Sequence, residues 1–261
     1  MFDFHMHSKV SFDGLDTAEA MASAAAAAGL KEICFTDHID YDPLGLMGDM
    51  AFDTNAYNAA YDRLQVPGLT IRRGMEFGLT ADNREQLKLD LQRRPFDFVI
   101  GSVHFAQDLD VYFAPYWEGK TVFEAERQYL LTTLDCVRAQ DDFDVLGHLT
   151  YLSKARANPV HRPISLDDHR EVVEEIMKVL IRKGKGMELN TSGMDRCGDF
   201  LPGLPYFRLF KELGGQIVTV GSDAHNAQRV GQHTFEACKL LCDLFGYVCT
   251  FQDRQPVFHK L

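Results

Sequence analysis

Two histidines one residue apart open the chain. If the stretch FDFHMH is a strand, His5 and His7 share one face with Asp3, and Phe2, Phe4 and Met6 take the other. An imidazole pair is costly to bury without partners, so that face either meets water or surrounds a cation. Related residues recur at intervals. Asp37 and His38 close EICFTDH, Glu76 lies in TIRRGMEFG, His104 ends FDFVIGSVH, and His148 ends FDVLGH. Glu188 and Asn190 lie in GMELNT, and Asp223 and His225 close QIVTVGSDAH. A lone histidine at a strand end is commonly a hydrogen-bonded core residue. Six of the ten histidines at the same end of successive strands instead point to a metal cluster. Imidazole and carboxylate without thiolate suit zinc, iron or manganese. Seven or more such groups exceed what one ion accepts, so two or three divalent ions are expected. The other histidines, His161, His169, His233 and His259, fall in helical or tail segments and read as surface residues.

Positioning these groups requires strands that all run the same way. The stretches above number seven, and helical segments separate most of them, which implies parallel β-structure and an α/β fold. Capping-box spacing marks helix starts at Asp16 with Glu19, Asp82 with Glu85 and Thr121 with Glu124, and Ser165 can cap another. TAEAMASAAAAAGL reads as a helix packed closely on a sheet, with Gly29 suited to its C-terminal cap. A barrel is favoured over an open doubly wound sheet. The GxGxxG phosphate fingerprint is absent, and polar residues recur at the ends of nearly every strand, the rim where parallel barrels place their chemistry. The tail YVCTFQDRQPVFHKL reads as a short extra strand and a turn at Pro256. Without a linker or repeat, residues 1–261 are expected to form a single domain.

Composition narrows the function classes. With 261 residues and 46% hydrophobic content the chain can bury a full core. A formal net charge of −11 weighs against nucleic-acid or anionic-membrane partners, which require a positive footprint. It leaves room for a small anionic substrate, because bound cations reverse the local field. No apolar run has the length of a membrane span, and the N-terminus lacks the features of a signal peptide. The six cysteines form no CxxC pair; Cys238 and Cys242 share a helix face, and buried thiols in a reducing cytoplasm are the expected state.

The motifs HMHSKVSFDG, FTDH, GMEFG, GSVH, LGH, ELNTSG and GSDAH occur in an order that resembles the polymerase and histidinol phosphatase (PHP) family, nearly end to end and most closely its stand-alone histidinol-phosphate phosphatases. The resemblance implies a distorted TIM-like barrel of seven β/α units and a trinuclear metal centre. By position, one ion would take His5, His7, Glu76 and Asp223. A second would take Glu76, His104 and His148, with Glu76 bridging, and a third Asp13, His38 and His225. Asp13 stands where some relatives have histidine.

The implied reaction is hydrolysis of a small phosphate monoester by a hydroxide bridging two ions, with Glu76, Asp223 and His225 as the catalytic residues. The named candidate is conversion of L-histidinol phosphate to L-histidinol and phosphate, a step of histidine biosynthesis. Arg156 and Arg196 are expected to hold phosphate oxygens, with Arg229 a further candidate, because guanidinium matches them bidentately. Asp37 is expected to orient a ligating imidazole, and Asp40 and Asp42 are available to a cationic substrate. Two other readings stand beside this one: an esterase acting on a nucleotide or oligonucleotide, and a metal-binding domain without catalysis. An amidohydrolase would normally place a bridging lysine on its fourth strand, and FVIGSVH has none.

Overall fold

The computed structural model describes residues 1–46 and 48–260. Seven parallel strands pair in chain order: β1 (Phe2–Met6), β2 (Glu32–Phe35), β3 (Thr70–Gly78), β4 (Phe98–Ser102), β5 (Val145–Leu146), β6 (Gly186–Asn190) and β7 (Val218–Gly221). Spatial order equal to chain order is the signature of a barrel. The ends of the sheet come together just beyond β7: Asp223 N donates to His5 O at 2.7 Å, and His7 N donates to Ala224 O at 2.9 Å. The sheet is therefore a nearly closed barrel, in agreement with the expected architecture.

A helix follows each strand: α1 (Ala18–Ala27), α2 (Thr54–Tyr61), α3 (Arg84–Leu91), α4 (Val122–Ala139), α5 (Leu166–Arg182), α6 (Leu204–Glu212) and α7 (Thr234–Phe245). The Thr121–Glu124 capping box and the Ser165 cap are present. At α1 the cap is Thr17, one residue beyond the expected Asp16, whose carboxylate accepts from Ala227 N instead. The cap position of α3 is Asn83, while Asp82 accepts from the Thr80 hydroxyl. Gly29 follows α1 with φ 79°, a left-handed conformation that favours glycine at a helix end.

Two departures from regular strands shape the site. The second strand stops at Phe35 and resumes as His38–Tyr41, which pairs in parallel with β3 at His38 and Glu76 and antiparallel with Asp49–Ala51. In β1 the register shifts between Asp3 and Met6, and such an irregularity re-aims a side chain. Strict alternation places Phe4 on the helix-facing side. Instead its ring meets Phe98 of β4, three strands away, edge-on at 5.7 Å, so the two meet across the barrel interior.

Phe98 in turn lies 4.7 Å from Phe251. Phe251 belongs to an antiparallel hairpin, Val248–Gln252 with Gln255–His259, and is buried. The turn falls at Asp253–Arg254, both at positive φ, rather than at Pro256, which sits within the second strand. Arg254 ties the hairpin to the barrel through Asp144, at 2.5 Å, and the Asp97 carbonyl. Imidazoles thus occupy one end of the barrel and a phenylalanine plug the other. Phe251→Ala is expected to cost about 3–5 kcal/mol of stability, the usual range for truncating a buried aromatic. Denaturant titration reads that loss, and metal content should be unchanged.

Candidate metal centre

The C-terminal ends of the strands converge. His5 and His7 descend from β1, and His5 Nε2 lies 3.1 Å from Glu76 Oε2 and 3.7 Å from Asp223 Oδ1. His7 Nε2 lies 3.5 Å and 3.4 Å from the same two oxygens. On the other side of Glu76, Oε1 is 2.8 Å from His148 Nε2 and 3.4 Å from His104 Nε2. Toward solvent, Asp13 Oδ2 is 2.9 Å from His225 Nε2 and 3.6 Å from His38 Nε2. The His7 ring stacks between His38 and His225, each at 4.3 Å. All nine residues expected as ligands therefore meet at one rim. Asp223 adopts φ 55°, a conformation that side chains rarely take and that often marks a functional position.

The donor atoms fit cations. Among the described residues, His5 Nε2, His7 Nε2 and Glu76 Oε2 are buried without a hydrogen-bond partner, and so is Asp13 Oδ1. Atoms of this kind are expensive to leave unmatched, and divalent ions would satisfy them. Burial, helped by the nearby His225 and His38, pushes His7 down to about 3, which keeps its lone pair available. Burial alone would raise Glu76, but His5, His38 and His104 outweigh it and hold the carboxylate well below its usual range. Nitrogen and carboxylate oxygen without sulfur is the donor set of hard to intermediate divalent metals. Among the described residues, no cysteine joins a possible metal-binding group.

Buried acids behind the rim orient the imidazoles. Glu188 Oε1 faces His5 Nδ1 at 2.6 Å, and its Oε2 accepts from His148 N. Gly221 allows this approach, since a Cβ there would lie 2.3 Å from His5 Cβ and 2.4 Å from Glu188 Oε1. Asp40 holds two imidazoles at once, His38 Nδ1 at 3.0 Å and His104 Nδ1 at 2.7 Å. Its Oδ1 would be 2.0 Å from a Cβ at Gly78, so glycine makes room for it. Against burial, His104 and His38 hold Asp40 at about 2. Asp37, expected in this role, does not take it. Its carboxylate accepts from Ser8 N and the Tyr61 hydroxyl, because the interruption of the second strand turns it away. Asp40 is correspondingly committed to imidazoles rather than open to substrate. Asp40→Asn leaves an amide N–H facing one imidazole N–H, and metal affinity should fall about 10–100-fold, as measured by metal titration.

A profile of the PHP domain matches residues 3–192. The chain belongs to the PHP domain family. It is 35% identical over 234 residues to a histidinol-phosphatase of Lactococcus lactis, spanning 87% of this chain and 85% of that one. A protein of Clostridium acetobutylicum named as a probable histidinol-phosphatase is 28% identical, with 92% of each chain covered. Among solved structures, histidinol phosphate phosphatase from Lactococcus lactis, complexed with zinc, L-histidinol and phosphate, superposes with a TM-score of 0.85 at 29% identity over 98% of each chain.

Above these residues, this PHP domain opens a cleft of ≈ 550 Å³. Its lining includes Lys154, Ser192, Arg196 and Arg229, together with Phe12, Met50, Asp110, Tyr112, Phe113 and Tyr151. Arg196 and Arg229 thus reach the mouth, Arg229 paired with Asp195 at 2.7 Å. Arg156 does not: it is exposed and outside the cleft lining, because the turn Tyr151–Lys154 ends before it. Lys154 is the inward basic residue of that turn, donating to Asp223 Oδ2 and, at 2.8 Å, to Ser192 Oγ. No periodic pattern in LTYLSKARANP distinguishes it from Arg156. His169 is not a surface residue either. It is buried between α4 and α5 with Glu126 3.1 Å away and Phe123 stacked on its ring. Among the described residues, no helix is long and apolar enough to cross a membrane.

Proposed function

We propose that this protein, as one catalytic unit spanning residues 1–261, is a metal-dependent phosphomonoesterase that hydrolyses histidinol phosphate to histidinol and phosphate. The carrying observation is the set of partnerless buried donor atoms on His5, His7, Glu76 and Asp13 beneath a cleft with a basic side. The extent of the likeness to a phosphatase structure holding zinc, L-histidinol and phosphate supports the named substrate.

Residue roles follow from position. His5, His7, Glu76 and Asp223 would hold one ion, and Glu76, His104 and His148 a second that shares Glu76 with the first. Asp13, His38 and His225 would hold a third, with zinc, iron and manganese all compatible with the donors. Bound ions supply a water of lowered pKa as nucleophile and positive charge for the phosphoryl oxygens. Arg196, with Lys154 and Arg229 even while they pair with Asp223 and Asp195, would offer N–H donors to phosphoryl oxygens on one side of the mouth. Ser192 offers a hydroxyl to a phosphoryl oxygen beside them. Glu188 and Asp40 fix the rings of His5, His38 and His104, which would hold ions there without reorganisation when substrate arrives.

The test is a comparison of kcat/KM for histidinol phosphate, nucleoside monophosphates, p-nitrophenyl phosphate and a short oligonucleotide with metal-loaded protein. Histidinol phosphate is expected to lead. Faster turnover of another monoester would replace the substrate and keep the reaction class; absence of hydrolysis with full metal occupancy would overturn both.

A further inference from the structure

The cleft is chemically divided, and the division follows the barrel. Its basic residues, Lys154, Arg196 and Arg229, come from the loops after β5, β6 and β7, which also place Tyr151, Asp195 and Asp223 in the lining. The opposite wall, built by loops after β1, β2 and β4, carries Phe12, Met50, Asp110, Tyr112 and Phe113. The metal-ligating residues lie between. Phosphate belongs on the basic side, which leaves the aromatic wall for the departing alcohol.

Asp110 differs from the other acids at this mouth. Asp13 faces His225, Asp195 pairs with Arg229, and Asp223 pairs with Lys154. Asp110 is half-buried and accepts from Tyr112 N at 2.8 Å, and it forms no ion pair among the described residues. Its place is set rigidly. The two-residue turn Gln107–Asp108, both at positive φ, joins Phe105–Ala106 to Leu109–Asp110, and Val111 N donates back to His104 O at 3.0 Å. Asp110 also lines a narrow extension of the cleft shared with His38, His104 and Phe12. A carboxylate that lines an aromatic cleft and pairs with no basic side chain among the described residues can receive a cationic group, and the rings add cation–π attraction.

We propose that Asp110 is the specificity-determining residue for the leaving group, selecting phosphate monoesters whose alcohol carries a protonated amine. This rests on the phosphomonoesterase reading and extends it from the reaction to the class of alcohol. Asp110→Asn keeps the oxygen that accepts from Tyr112 N and removes the charge. For histidinol phosphate, kcat/KM should fall about 10–100-fold, the worth of a charge-assisted hydrogen bond. For the same ester lacking the amine, and for p-nitrophenyl phosphate, it should stay within about threefold. Equal losses on all three esters, or an undiminished preference for the amine, would overturn the proposal. Ethanolamine phosphate and ethyl phosphate, measured in parallel, give the same ratio without assuming histidinol. A preference that appears only in this second pair and collapses in the variant supports Asp110 while rejecting histidinol phosphate. Wild-type protein without preference for the amine-bearing ester in either pair rejects Asp110.

Discussion

Glu76→Gln is expected to lower kcat about 10³-fold or more and to strip metal from the protein. Glu76 reaches both sides of the cluster, with Oε2 toward His5, His7 and His38 and Oε1 toward His104, His148 and the Ser102 hydroxyl. Glutamine preserves volume and one acceptor, so packing is retained. It removes the negative charge and turns N–H donors toward imidazole nitrogens that need their lone pairs. Two ions would lose a shared ligand together, and a deficit of about 4 kcal/mol in transition-state stabilisation corresponds to 10³-fold in rate. Elemental analysis and steady-state kinetics on the same sample read both effects. A variant within tenfold of wild type, still holding its full metal complement, would remove Glu76 from the centre of the mechanism.

The convergence of these residues was legible from the sequence because two regularities act together. Strand periodicity identifies which residues sit at strand ends, and a parallel barrel carries all such ends to one rim. His5, His104, His148 and Asp223 needed nothing more. Asp13 lies in a loop, where no periodicity applies, and only family resemblance pointed to it. Where the chain leaves regular geometry, prediction fails locally. The break after Phe35 gives Asp40 the imidazole-orienting place expected of Asp37, which is buried against Ser8 and Tyr61 instead, and the register shift in β1 re-aims Phe4. The turn at Tyr151–Lys154 brings a lysine into the cleft and leaves Arg156 outside it. Burial of His169 depends on Glu126, 43 positions away, a contact without local signature.

Chelation of the metals should abolish turnover and lower Tm by about 5–10 °C for each saturated site lost, since an ion at a hundredfold over its Kd contributes about 2.7 kcal/mol. The metal-free protein should also acquire a pH dependence that the loaded protein lacks. Without ions, the acids of the site are balanced by protons on imidazoles. Burial opposes protonation of His38, yet Glu76, Asp40 and Asp13 raise it to about 9, and Glu188, Glu76 and Asp223 likewise lift His5 against burial. A histidine whose folded pKa is raised contributes stability that is complete below its unfolded value near 6.5 and is lost as pH climbs through the folded value. Metal-free protein should therefore lose Tm steadily from about pH 6.5 to 9. His7, held neutral down to about 3, adds nothing in that window. Metal binding at neutral pH must expel the same protons, so calorimetric titrations in buffers of different ionisation enthalpy should show net proton release. Binding without proton release, together with a flat Tm profile for the stripped protein, would mean that these imidazoles are already neutral and that protons do not stand in for the ions.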